Sequence, residues 1–192
     1  MSNQRAQGRK LAILAADGFE QVELTSPKEA IEAAGGEARI VSIDKGYIQG
    51  HNHREHGDKF QVDLSLSEAK AENFDALFIP GGLYSPDALR TDDAAKKFAS
   101  DFFEQKKPVF AICHGPQVLI SANLVKGRDV TGYKAIQQDL RNAGANVKDE
   151  PVVVDSGLVT SRSPNDLGAF NSKIVEEICE GKHADQRQSV TA

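Results

Sequence analysis

Cysteine is scarce in this chain: Cys113 and Cys179 are the only two in 192 residues. Two are too few for a disulfide framework, and in a reducing compartment both are expected as free thiols. Long hydrophobic runs are missing, which excludes a bilayer-spanning helix. The opening M-S-N-Q-R-A-Q-G-R-K lacks the apolar core of a secretory signal, so the expected location is the cytoplasm, with no membrane partner. Basic charge is not in excess: 23 Lys and Arg stand against 28 Asp and Glu, a formal net charge of -5. A nucleic-acid partner would call for the opposite sign. Neither G-x-G-x-x-G nor the P-loop pattern occurs, so no nucleotide cofactor is expected. No linker, repeat or low-complexity stretch divides the chain. The expectation is one domain over 1–192, with a core from about 10 to 180 and polar, frayed tails.

What is present reads as an ordinary globular composition, 40% hydrophobic and 27% charged. K-L-A-I-L-A-A (10–16) is a short apolar run that ends at Asp17-Gly18, the pattern of a buried strand. Ser26, Pro27 and Glu29 form an S-x-x-E capping box for a helix that Gly35-Gly36 closes. A-R-I-V-S-I (38–43) is a second strand. This alternation predicts a mostly parallel sheet covered by helices. Residues 46–64 interrupt it with a hairpin around H-N-H-R-E-H-G-D. D-A-L-F-I-P (75–80) and V-F-A-I (109–112) are further strands. Thr91 is read as the cap of the helix between them, which Pro108 ends. D-V-T-G (129–132) is a short strand, A-I-Q-Q-D-L-R-N-A-G (135–144) a helix, and V-V-V-D-S-G-L-V-T-S (152–161) a hairpin. A last helix opens at Ser163-Pro164 and ends near Gly181.

The junction at Cys113 carries the chemistry. A strand that turns directly into a helix brings the residues two before and two after the turn close together, so only small ones fit. Ala111, Cys113 and Gly115 satisfy that pattern. It resembles the G-x-S-x-G nucleophile elbow with Cys in place of Ser. A thiol at a helix N-terminus is expected to have a lowered pKa. The His114 N–H points to where an oxyanion would form, and Gly81 and Gly82 of P-G-G offer a second donor at another strand end. Cys179 falls at helical spacing from Ile174 and Val175 and is read as a core residue.

Asp17, Glu20 and Glu23 occupy the first loop, where a phosphate binder would have glycines. A carboxyl group beside a thiolate must hold a proton, since two adjacent negative charges are unfavourable. The alternative for these acids is a solvated loop. His51, His53 and His56 cluster in the hairpin, but no cysteine lies nearby and Arg54 and Lys59 do. A solvated tip is expected there, with no metal site.

Taken together, D-G-F-E-Q-V-E, F-I-P-G-G, A-I-C-H-G-P-Q and S-R-S-P-N-D-L resemble the signature segments of the PfpI family, over about Lys10 to Glu180. That family belongs to the superfamily of the Parkinsonism-associated deglycase and the class I glutamine amidotransferases. The resemblance implies a flavodoxin-like α/β sandwich with Cys113 at the elbow and no cofactor. It implies a hydrogen bond from Glu23 to the cysteine, with Glu20 a second acid that members often pair with an arginine. His114 matches the family's proposed catalytic histidine, and Asp87 the acid supplied to it by a neighbouring subunit. Members often carry Glu there, in a loop one residue shorter. Tyr133 and Arg162 match pocket-lining positions. A shared site implies a homo-oligomer.

Adjacent side chains on a tight turn usually diverge, which argues against His114 as the base for Cys113. The first functional expectation is a stress-type cysteine hydrolase acting on small carbonyl compounds or modified proteins, of deglycase, glyoxalase or peptidase type. The alternatives are a redox sensor in which Cys113 is oxidised and a non-catalytic chaperone.

Overall fold

The structure is a computed structural model that describes residues 5–186. The expected fraying beyond them lies outside the described residues. β1 (Lys10–Leu14) leads through a two-residue strand, β2 (Phe19–Glu20), straight into α1 (Gln21–Ala33). β3 (Glu37–Ser42) follows, then the hairpin of β4 (Tyr47–Asn52) and β5 (Glu55–Gln61), and the short β6 (Leu64–Ser65). β7 (Ala76–Ile79) precedes two helices, α2 (Tyr84–Thr91) and α3 (Asp93–Glu104). β8 (Val109–Ile112) runs into α4 (Pro116–Ser121). β9 (Asp129–Val130), α5 (Gln137–Asn142) and β10 (Asn146–Val147) form a small unit. β11 (Val152–Asp155), β12 (Leu158–Ser161) and α6 (Leu167–Glu180) complete the fold.

The main sheet has the order β11-β12-β8-β7-β1-β3-β6. All neighbours in it are parallel except β11, which pairs antiparallel with β12. Counting only β1, β3, β7, β8 and β12 as one to five gives the order 2-1-3-4-5, the flavodoxin-like arrangement. Period-two alternation sorts the strand side chains between two cores. Leu11, Ile13, Phe78 and Phe110 pack with Leu24, Ile31, Phe170 and Ile174 of α1 and α6. Ala12, Leu14, Leu77 and Ile79 pack on the other face with Phe98, Phe102, Val118 and Leu140 of α3, α4 and α5. Burial on both faces explains why these strands read as unbroken apolar runs.

Several local expectations shift. The first helix begins at Gln21, five residues before the predicted box, and Pro27 lies inside it. Ser26 instead accepts a hydrogen bond from the Asn171 side chain of α6, 2.7 Å. The cap of α3 is Asp92, whose carboxylate accepts from Ala95 N at 2.8 Å, and Thr91 ends α2, a helix absent from the sequence reading. D-V-T-G contributes β9 to a separate parallel pair with β10, not to the main sheet. The 152–161 hairpin forms as expected, its Ser156-Gly157 turn at φ 49° and 85°.

Candidate active site

At the carboxyl ends of β1, β7 and β8 the chain makes three close approaches. β8 delivers Cys113 in the left-handed region, φ 59°, which a residue with a Cβ adopts only when its surroundings hold it there. They do so from both sides. Cys113 N donates to Ser161 O at 3.0 Å, Tyr133 N donates to Cys113 O at 2.9 Å, and Gly115 N donates to Ile112 O at 2.8 Å. A Cβ on Gly115 would overlap the carbonyl oxygen of Ile79. The crowding expected two residues past Cys113 is therefore real. Cys179 is half-buried against the α1–α6 core, its thiol donating to Arg5 O at 3.1 Å.

Glu23, on the first turns of α1, is fully buried. Its Oε2 accepts from Gly81 N at 3.0 Å. Its Oε1 is buried without a conventional hydrogen-bond partner. The side chain it engages is that of Cys113. Burial pushes Glu23 from an ordinary 4.5 up to about 8, against the opposing pull of the Cys113 contact. Burial also pushes the Cys113 thiol up, and the neighbouring Glu23 carboxylate adds to the rise. The N–H groups of Gly82 and His114 point at the sulfur and pull the other way. The expected lowering of the thiol pKa is thus reversed. α4 is only six residues long, and its dipole does not outweigh removal of the sulfur from water. One buried site holds two acids that cannot both ionise.

Gly81 and Gly82 differ in role. Gly81 was expected as an oxyanion donor, but its N–H is committed to Glu23. Gly82 (φ 95°) keeps an N–H directed at the sulfur. His114 also departs from expectation. Its ring does not diverge: Nδ1 lies 3.2 Å from Cys113 Sγ. The left-handed backbone at Cys113 and a stack on Tyr133, centroids 4.8 Å apart, fix it there. Burial lowers its pKa, which keeps the imidazole neutral at pH 7.

Glu20, Glu23, Gly82, Cys113, His114 and Tyr133 all line one cavity of ≈ 400 Å³. Arg162 does not. It is held in a two-pronged pair with Asp166 (3.0 and 3.1 Å) and a further bond to Asp149. Pro164 of the same loop lines the cavity in its place. Asp87 sits exposed on α2 without an ion pair among the described residues, and none of the described carboxylates makes a hydrogen bond to His114. Sequence reasoning missed the hairpin tip. His53 and Arg54 line the cavity, because β4 pairs in parallel with β2 and folds the hairpin over the site. Glu20 has no arginine partner among the described residues; its carboxylate accepts from His53 N at 3.1 Å. The signal available was Phe19-Glu20, too short to read as a strand.

Fold and site together define a cysteine-elbow protein of the flavodoxin-like class. The chain belongs to the DJ-1/PfpI family, matching it over residues 9–177. That family includes cysteine-dependent hydrolases. It is 52% identical over 164 residues to the Bacillus subtilis protein named "Putative cysteine protease YraA", covering 85% of this chain and 94% of that one. A two-domain protein from Anabaena variabilis, with DJ-1/ThiJ/PfpI-like and ferritin-like domains, superposes with TM-score 0.83 at 39% identity. The match covers 88% of this chain and 47% of that one. A ThiJ/PfpI domain protein from Brachyspira murdochii gives TM-score 0.83 at 26% identity, over 91% and 98%.

Proposed function

We propose that the protein is a cysteine-dependent hydrolase of carbonyl and amide substrates, with Cys113 as nucleophile. The observation that carries this is the convergence on one sulfur of a left-handed elbow, a neutral imidazole nitrogen at 3.2 Å and a buried carboxyl group. As Sγ attacks a carbonyl carbon, the thiol proton passes to His114 Nδ1 and the carbonyl electron pair moves to oxygen. The Gly82 and His114 N–H groups, which bear on the sulfur, stabilise the developing charge once the carbonyl oxygen lies beside it. Glu23, protonated below about pH 8, donates toward the reacting atoms without adding a second negative charge. With an amide, His114 returns its proton to the leaving amine as the tetrahedral intermediate collapses; with a 2-oxoaldehyde, which has no leaving group, the C1 proton of the hemithioacetal moves to C2, and in both cases water hydrolyses the resulting thioester and frees the thiol. The cavity suits a small aldehyde or an adducted side chain better than an extended peptide. A glyoxalase or deglycase role under carbonyl stress in the cytoplasm is therefore favoured over general proteolysis. A second copy is the expected partner, since Leu83 and Tyr84 lie exposed beside the cavity with Asp87 on the same helix.

Methylglyoxal consumption is measured for the wild type, Cys113→Ser and His114→Ala. Loss of turnover in the serine variant is expected; consumption equal to wild type overturns the reading. Redox sensing is the second reading, favoured by a single thiol beside an unpartnered carboxyl oxygen. Mild peroxide followed by peptide mass mapping separates the two: a sensor oxidises at Cys113 well before Cys179.

A further inference from the structure

α6 ends at Gly181, φ 85°, and the turn there folds His183 back toward the helix. The backbone fixes His183 through its N–H, which donates to Lys106 O at 2.9 Å. Gly157 presses on its ring: a Cβ at 157 would lie 2.7 Å from Cδ2. The imidazole meets Glu177, whose side chain is 6% exposed, with Nε2 2.9 Å from Oε2. Yet neither atom completes a hydrogen bond, because the ring N–H direction does not point at the oxygen. Two ligands of one cation, each about 2.0–2.2 Å from it at angles of roughly 90–109°, lie about 2.8–3.6 Å apart with lone pairs converging on the ion and not on each other. Glu180, one turn beyond Glu177, supplies a third ligand atom, the second oxygen, and the three all fall within 4.8 Å of one another.

We propose that Glu177, Glu180 and His183 form a binding site for one divalent transition-metal cation at the C-terminal end of α6. None of the three lines the Cys113 cavity. An imidazole with two carboxylates favours zinc, cobalt or nickel over magnesium or calcium. Two carboxylates balance the cation's charge, and the exposed side of Glu180 leaves room for water as a further ligand. The metal joins the segment after Gly181 to α6, so binding and local order rise together.

The test is titration of the full chain with cobalt(II), read by visible absorption and calorimetry, with thermal unfolding in zinc(II) and in chelator. One equivalent is expected to bind and raise Tm. Glu180→Gln, at an exposed position that leaves packing intact, and His183→Gln are expected to weaken binding about tenfold or more. Cys113→Ser and His53→Ala are expected to leave it unchanged. Absence of binding at micromolar metal, equal affinity in Glu180→Gln and His183→Gln, or loss in Cys113→Ser overturns the proposal.

Discussion

At Gly81 only a hydrogen fits between two reactive groups. A methyl there would overlap Glu23 Oε2 and lie 2.6 Å from Cys113 Cβ. Gly81→Ala is expected to cost about 1–3 kcal/mol in urea unfolding and to misplace Glu23, with Cys113 alkylation changing accordingly. Wild-type stability with unchanged thiol reactivity would contradict this. Glu23 itself leaves a signature in pH. Its pKa rises from 4.5 to about 8 on folding, so the folded state holds a proton that the unfolded state releases. The stabilisation is complete below about pH 4.5 and falls by roughly 1.4 kcal/mol per pH unit as pH rises toward 8. Glu23→Gln carries no titrating proton. Its stability relative to wild type is expected to climb across that window, measured by urea unfolding at pH 5 and pH 8. A difference independent of pH would refute the buried protonated carboxyl. For Cys113 the same coupling predicts slow iodoacetamide alkylation at neutral pH that does not accelerate as Glu23 loses its proton near pH 8, since the new carboxylate pushes the thiol further up.

The elements nearest the site depend on one polar clamp. Gln21, the first residue of α1, accepts from Asp58 N at 2.6 Å and donates to Asp58 Oδ2 at 2.8 Å, holding the β4–β5 hairpin over the cavity. Gln21→Ala is expected to cost about 1 kcal/mol and to loosen the tip, seen as faster tryptic cleavage after Arg54 and a raised KM. Unchanged cleavage would mean that the β2–β4 pairing and the Glu20–His53 bond hold it without the clamp. The strands were legible because both their faces are buried, and Val109–Ile112 is apolar at every position. The first helix was misplaced because Ser26-Pro27 looks like a start when read locally. Tertiary contacts override it: burying Glu23 and Leu24 requires helical backbone from Gln21 onward. The family resemblance implies a pocket position for Arg162. The choice between the cavity and Asp166 is made by side-chain geometry, which a motif does not encode.

Across the whole molecule, Phe110 lies on β8, next to the middle strand of the sheet, fully buried. Phe110→Ala is expected to lower stability by about 3–5 kcal/mol and Tm by roughly 10 °C or more. The folded fraction should still alkylate Cys113 at the wild-type rate, since the elbow is held by hydrogen bonds to Ser161 and Tyr133. A comparable loss of thiol reactivity per folded molecule would show that the core sets the elbow directly. Family and fold were legible from short segments. The apposition of Glu177 with His183 was not, because it depends on the turn at Gly181 and on contacts to Gly157 and Lys106. The strand order has a consequence for synthesis. β8 lies between β7 and β12, and Cys113 N rests on Ser161 O. A nascent chain that has released Cys113 from the ribosome must therefore add about fifty further residues before the elbow can close. Until then the thiol is an unstrained, solvated side chain, and its chemistry begins only when the last parallel strand docks.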